Sequence, residues 1–194
     1  SSAAFFLVAG AIHPKARIRV LNVGINPGRS GLLDVLKSMG ARITLENERL
    51  AGQEPVADIV VESGPLTAIE LGGDLIPSLI DEVPVLAVAA AVARGTTVIR
   101  DAAELRVKES DRIATTAREL SRMGARVREM PDGMIIEGVG RLEGAAVESH
   151  GDHRLALALA VAGLVARGET SIAQAEVVDI SYPSFWRDLE RLAQ

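Results

Sequence analysis

The sequence predicts an α/β domain of pseudo-threefold design, built from βαβαββ units with the third unit incomplete. Two observations carry that expectation: an internal repeat, and a helix–glycine–strand pattern that recurs in register with it. The repeat reads Val8-Ala9-Gly10-Ala11-Ile12, Val88-Ala89-Ala90-Ala91-Val92 and Val161-Ala162-Gly163-Leu164-Val165. Each copy is apolar on every side, the pattern of a helix buried all round. Each leads into a β-type segment, over residues 17–20, 96–99 and 169–172 in turn. An amphipathic helix follows. It ends Leu36-Lys37-Ser38-Met39-Gly40-Ala41 in the first unit, Leu120-Ser121-Arg122-Met123-Gly124-Ala125 in the second and Leu189-Glu190-Arg191-Leu192-Ala193-Gln194 in the third. Gly40 and Gly124 stand where a helix C-cap takes positive φ, and strands are predicted directly after them, over 42–45 and 126–129. β-Branched residues between turn residues predict further strands over 57–62, 68–71, 133–137 and 145–148. The third copy stops where the first two begin a strand. The missing strands are therefore expected from other residues of a longer parent chain, as is the start at Ser1-Ser2-Ala3-Ala4-Phe5-Phe6, which enters apolar helical sequence with no Met and no signal-peptide pattern.

Composition narrows function. The 194 residues fit one domain, expected to run over 1–194, and 48% of them are hydrophobic against 3% aromatic, so the core must be aliphatic and platforms for stacking bases are lacking. No cysteine is present, which excludes disulfides and thiolate chemistry. A net charge of -5 gives no basic footprint, so neither nucleic acid nor an anionic membrane surface is expected as partner. The longest apolar run, Val83 to Ala93, falls short of the roughly 20 residues that span a bilayer. A soluble, cytoplasmic protein is expected.

Three polar clusters stand out, two of them opening buried helices. A helix start offers unpaired N–H groups and about half a positive charge, which suits phosphate or carboxylate ligands. If the units share an axis, three such starts face one place. The first cluster is Leu79-Ile80-Asp81-Glu82-Val83-Pro84. Read locally, Asp81 is the N-cap, with Pro84 in the first turn; read functionally, it is a carboxylate at the mouth of a site. The second, Arg106-Val107-Lys108-Glu109-Ser110-Asp111-Arg112, precedes an amphipathic helix that Ser110 or Asp111 can cap. Lys108 and Arg112, four apart, are expected on one helical face as a clamp for a dianion, with Glu109 beside them to carry protons. The third is His150-Gly151-Asp152-His153-Arg154. Two histidines and an acid are weak grounds for zinc without further ligands, and no metal is expected. Asp152 reads as the N-cap. Arg154 near a positive helix end is unfavourable unless an anion joins it, which points to an anion site. Gly24-Ile25-Asn26-Pro27-Gly28-Arg29-Ser30 lacks the Gly-Lys-Ser/Thr ending of a phosphate loop and reads as a turn into a Ser30-capped helix. Ser181-Tyr182-Pro183-Ser184-Phe185-Trp186 reads as local packing.

The opening Ser1 to Phe6, Leu75-Ile76-Pro77 through Pro84, Arg106 to Arg112, His150 to Arg154 and Ser181-Tyr182-Pro183-Ser184-Phe185 resemble, in order, the 5-enolpyruvylshikimate-3-phosphate synthase family. The resemblance covers the whole chain. It implies the enolpyruvyl transferase-like fold, of two domains closing on a cleft, with this chain the phosphoenolpyruvate-binding C-terminal portion and the N-terminal domain as its missing partner. It implies transfer of the enolpyruvyl group of phosphoenolpyruvate to the 5-hydroxyl of shikimate 3-phosphate, with release of phosphate and no cofactor. By the same resemblance Asp81 accepts the hydroxyl proton and Glu109 delivers a proton to the methylene carbon. Lys108 contacts the shikimate substrate and the intermediate, while Arg112 and Arg154 grip the phosphoenolpyruvate anion with His153 beside it. The chain departs from several family members at Val178-Asp179-Ile180-Ser181, where they carry a Lys. Two rival readings are a non-catalytic anion-binding module of the same fold and an enolpyruvyl transferase for another acceptor. Asp81, Lys108 and Glu109 together argue against pure binding, which needs the cations but not both acids.

Overall fold

The computed structural model describes residues 2–26 and 31–192. Three helices form its centre: α1 (Ala3–Ile12), α4 (Val83–Val92) and α6 (His153–Val165), which pack on one another. Nearly every residue of α1 and α4 is buried, and so is the middle of α6 from Leu155 to Ala162, as an all-apolar surface requires. They are the three copies of the repeat.

Sheets surround this centre. After α1 come β1 (Arg17–Gly24), α2 (Gly31–Ser38), β2 (Arg42–Ala51) and β3 (Glu54–Glu62), the strands ordered β1-β3-β2 and wholly antiparallel. The second unit begins with β4 (Glu70–Leu71), the short α3 (Ile76–Leu79) and α4, then β5 (Thr96–Ile99), α5 (Arg112–Arg122), β6 (Arg126–Met130) and β7 (Gly133–Glu137). Its sheet runs β4-β5-β7-β6, with β4 parallel to β5. The third adds β8 (Leu142–Glu143), β9 (Ala146–Glu148), α6, β10 (Ala166–Arg167), β11 (Ser171–Ala173) and α7 (Phe185–Leu192), and pairs β9 parallel to β11. Thus the short strand before each of α4 and α6 pairs in parallel with a strand that follows the helix. Among the described residues β1 has no such parallel neighbour and β11 pairs only with β9. A strand is found at each expected place, but β2 and β3 extend beyond 42–45 and 57–62, the strand expected over 68–71 shrinks to β4, and that expected over 169–172 is displaced to β11.

Glycines fix two local geometries. Gly40 and Gly124 take φ of 98° and 82°, and the residues after them donate back to Leu36 and Leu120, so both amphipathic helices end in the expected left-handed cap. Gly138 lets the end of β7 touch α4, because a Cβ there would stand 1.8 Å from the Ala93 carbonyl oxygen. The aromatic segment packs as expected: Phe6, Tyr182 and Phe185 form a mutual cluster with Trp186 against it. The Ser30 cap and most of the 24–30 turn lie outside the described residues. Among those described, no single helix is long and apolar enough to cross a membrane.

Candidate active site

Arg112, the first residue of α5, organises the polar centre of the molecule. Its side chain is 1% exposed, and it reaches acids from three segments. Nε donates to Asp152 at 2.8 Å, Nη1 to Asp81 at 2.9 Å, and Nη2 to Glu109. Asp152 is wholly buried; Asp81 and Glu109 are half-exposed. Burial works against the charge on Arg112, but Asp152 first, then Glu109 and Asp81, more than reverse this and hold its pKa above the usual value. For Asp152 burial likewise opposes ionisation. The bonds from Arg112, Ser110 and the Arg154 N–H outweigh it and lower its pKa.

Local sequence places these groups. Asp111 caps α5 by accepting the Ala114 N–H at 3.0 Å, so the helix begins at Arg112 and aims that side chain inward. Asp152 caps α6 as expected, accepting from the Arg154 and Leu155 N–H groups. The second oxygen of Asp152 also takes the Ser110 hydroxyl at 3.0 Å.

Two local expectations fail. Asp81 makes no cap, because Glu82 holds the N-cap position of α4 without a side-chain bond, and the Asp81 carboxylate goes to Arg112 instead. A guanidinium is a stronger partner than a helix N–H. Nor do Lys108 and Arg112 share a helical face. Lys108 is extended and follows a 3-10 turn over Ala103–Val107, since the Asp111 cap delays the helix, and its ammonium pairs back to Glu104.

The other expected residues converge. Arg154 lies 3.8 Å from Asp81, and His153 Nδ1 lies 3.6 Å from Glu109, so the starts of α4, α5 and α6 share one cluster. The acid that offsets Arg154 at its helix start comes from within the protein. Glu82, beside Asp81, has its pKa raised by burial despite the opposing charge of Arg154. The two neighbouring histidines diverge to different acids, His150 to Glu119 and His153 to Glu109, and no three potential ligands among the described residues are placed to hold a metal. Sequence reasoning saw Asp152 only as a cap and gave Ser110 no role beyond capping; the bonds of Asp152 to Arg112 and to Ser110 span 40 and 42 residues and left no local signal. In the segment 178–181, Val178 is wholly buried and Ile180 is exposed.

The arrangement offers two half-exposed carboxylates over a buried cation, with a second Arg and an imidazole beside them. That grouping can bind an anion and move protons. A family model for EPSP synthase (3-phosphoshikimate 1-carboxyvinyltransferase) matches residues 1–189. The chain belongs to the EPSP synthase family. The 3-phosphoshikimate 1-carboxyvinyltransferases of Herpetosiphon aurantiacus and Gloeobacter violaceus are each 60% identical over all 194 residues, which cover 45% of each relative. An EPSP synthase structure from Acinetobacter baumannii matches with a TM-score of 0.95 at 46% identity, over 98% of this chain and 45% of that one. The enolpyruvyl transferase NikO from Streptomyces tendae shares the fold, with a TM-score of 0.79 at 21% identity over 99% of this chain and 42% of its own. The predicted α/β enolpyruvyl transferase fold is therefore the observed one, and the chain spans under half the length of these EPSP synthase relatives.

Proposed function

We propose that this chain is a single domain, 1–194, supplying the phosphoenolpyruvate-binding half of an enolpyruvyl transfer site, and that shikimate 3-phosphate is the acceptor. The observation that carries the reading is the Arg112 cluster, in which two acids with solvent access lie on a buried cation. An incoming carboxylate or phosphate can replace Asp81 and Glu109 on Nη1 and Nη2 while Asp152 keeps Nε. The exchange releases the two acids for proton transfer. Asp81 then takes the proton of the 5-hydroxyl as its oxygen bonds to C2 of phosphoenolpyruvate, and Glu109 protonates the methylene carbon. Return of a methyl proton to the site re-forms the double bond as phosphate leaves. Arg112, Arg154 and His153 face the negative charge of substrate and intermediate, and Lys108 joins them by exchanging Glu104 for the substrate. No cofactor enters. The partner is the other half of the cleft, needed to exclude water and orient two substrates, and the cytoplasm is the compartment.

The test is a chimera in which this chain replaces the matching 45% of the Gloeobacter violaceus relative. It is expected to release phosphate from phosphoenolpyruvate only when shikimate 3-phosphate is present. Glu109→Gln should lower that rate by about 10²–10⁴-fold, and the chain alone should release none. A chimera without turnover, or one indifferent to Glu109→Gln, overturns the reading.

A further inference from the structure

Glu119 is a second buried charged group on α5, and it takes no part in the reaction above. Its side chain is wholly buried, seven residues after Arg112. Seven residues bring a helix back to nearly the same face two turns on. Both side chains grip one loop. Arg112 holds Asp152 at 2.8 Å at its far end; at its near end Glu119 accepts the Glu148 N–H at 3.1 Å and faces His150 Nε2 at 2.8 Å. Between them the chain takes two left-handed residues in succession, His150 at φ 52° and Gly151 at φ 71°. A non-glycine residue holds such a conformation only where its surroundings determine it. Here the surroundings are the Glu119 carboxylate and buried Ser149, whose hydroxyl donates to the Gln174 carbonyl at 3.0 Å and accepts the Gly151 N–H at 3.2 Å. The loop delivers Asp152, His153 and Arg154 to the site.

We propose that Glu119 is a positioning residue: with Arg112 it forms a two-point clamp along α5 that sets where His153 and Arg154 stand against Glu109 and Asp81. This rests on the enolpyruvyl-transfer reading for its kinetic consequence, but the geometry of the clamp does not. An apolar side chain would fill the same volume without desolvating a charge, so what the acid adds is the fixed loop. A misplacement of about 1 Å at a catalytic group can cost about 10²-fold in rate.

The chimera described above provides the test, assayed well below its melting temperature. Glu119→Ala should lower kcat by about 10–10²-fold and raise KM for phosphoenolpyruvate. Glu119→Gln should recover most of the loss, since an amide can accept the Glu148 N–H and donate to a neutral imidazole. His150→Ala should reproduce part of it and add little on top of Glu119→Ala. Arg122→Ala, which removes only the exposed partner of the same carboxylate, should leave both constants unchanged. In ring-labelled protein the His153 resonances should move in Glu119→Ala and stay in place in Arg122→Ala. Unchanged kcat and KM in Glu119→Ala, or an unmoved His153 spectrum, overturns the clamp. An inactive unsubstituted chimera strikes the functional reading instead, and the His153 spectrum still decides the clamp.

Discussion

Asp58 and Asp152 are both buried carboxylates bonded to arginine, yet they serve opposite ends. Asp58 sits in the middle of β3, opposite bulges in both flanking strands, and is 6% exposed. It accepts the Asn22 N–H at 3.0 Å and the Asn47 amide at 2.9 Å, where both asparagines hold positive φ at the bulges. Its guanidinium partners, Arg19 and Arg49, are half-exposed. Asp152 meets a guanidinium that is itself buried and that spans to two further acids. One acid therefore finishes a sheet; the other anchors a buried cation whose remaining bonds go to two half-exposed acids. The lesson is that burial of an acid does not mark a site. What marks it is that its partner's other bonds go to acids open to solvent, which an incoming anion can replace.

Removing the anchors should separate the two cases. Asp152→Ala strands a buried guanidinium and uncaps α6, so unfolding free energy should fall by about 3–5 kcal/mol. Replacing both members, Asp152→Leu with Arg112→Met, should cost less than Asp152→Ala alone, as denaturant melts of the single and double variants would show. Equal or greater loss in the double variant would mean that the pair itself is the stabilising unit.

A smaller effect is expected at Asp58, and it should depend on pH. The Asn47 amide, the Asn22 N–H and Arg49 outweigh burial and lower its pKa from 3.8 to about 2. A depressed folded pKa means stability that is present in full above about pH 4 and lost as pH falls toward about 2. Asp58→Asn should therefore lower the thermal midpoint at neutral pH and flatten its decline between those values. A decline as steep as the parent's would assign acid sensitivity to other groups.

The smallest effect has the opposite sign. Burial raises the pKa of Glu82, so its ionisation opposes folding, and that cost appears as pH rises above the ordinary 4.5. Glu82→Gln should raise the midpoint at pH 7 and leave it unchanged near pH 3. A lower midpoint at pH 7 would show that Arg154 draws net stability from this carboxylate.

Much of this was legible in the chain. The three apolar helices, the two glycine caps and the Asp111 and Asp152 N-caps follow from local propensity and period, which act within a few residues. The polar clusters named the right neighbourhoods. They misled on orientation, at Asp81 and at Lys108, because a carboxylate or ammonium chooses among partners that sequence spacing does not rank.

Sequence by itself placed the main helices and strands, and determined that the core is aliphatic and repeated and that acids and cations gather at helix starts. Tertiary structure alone decided that Arg112 joins Asp81, Glu109 and Asp152, and that Glu119 holds the loop before α6. The reason is range: backbone hydrogen bonding and hydrophobic period are settled by near neighbours, whereas a buried charge is settled by whichever opposite charge the fold carries to within about 3 Å of it.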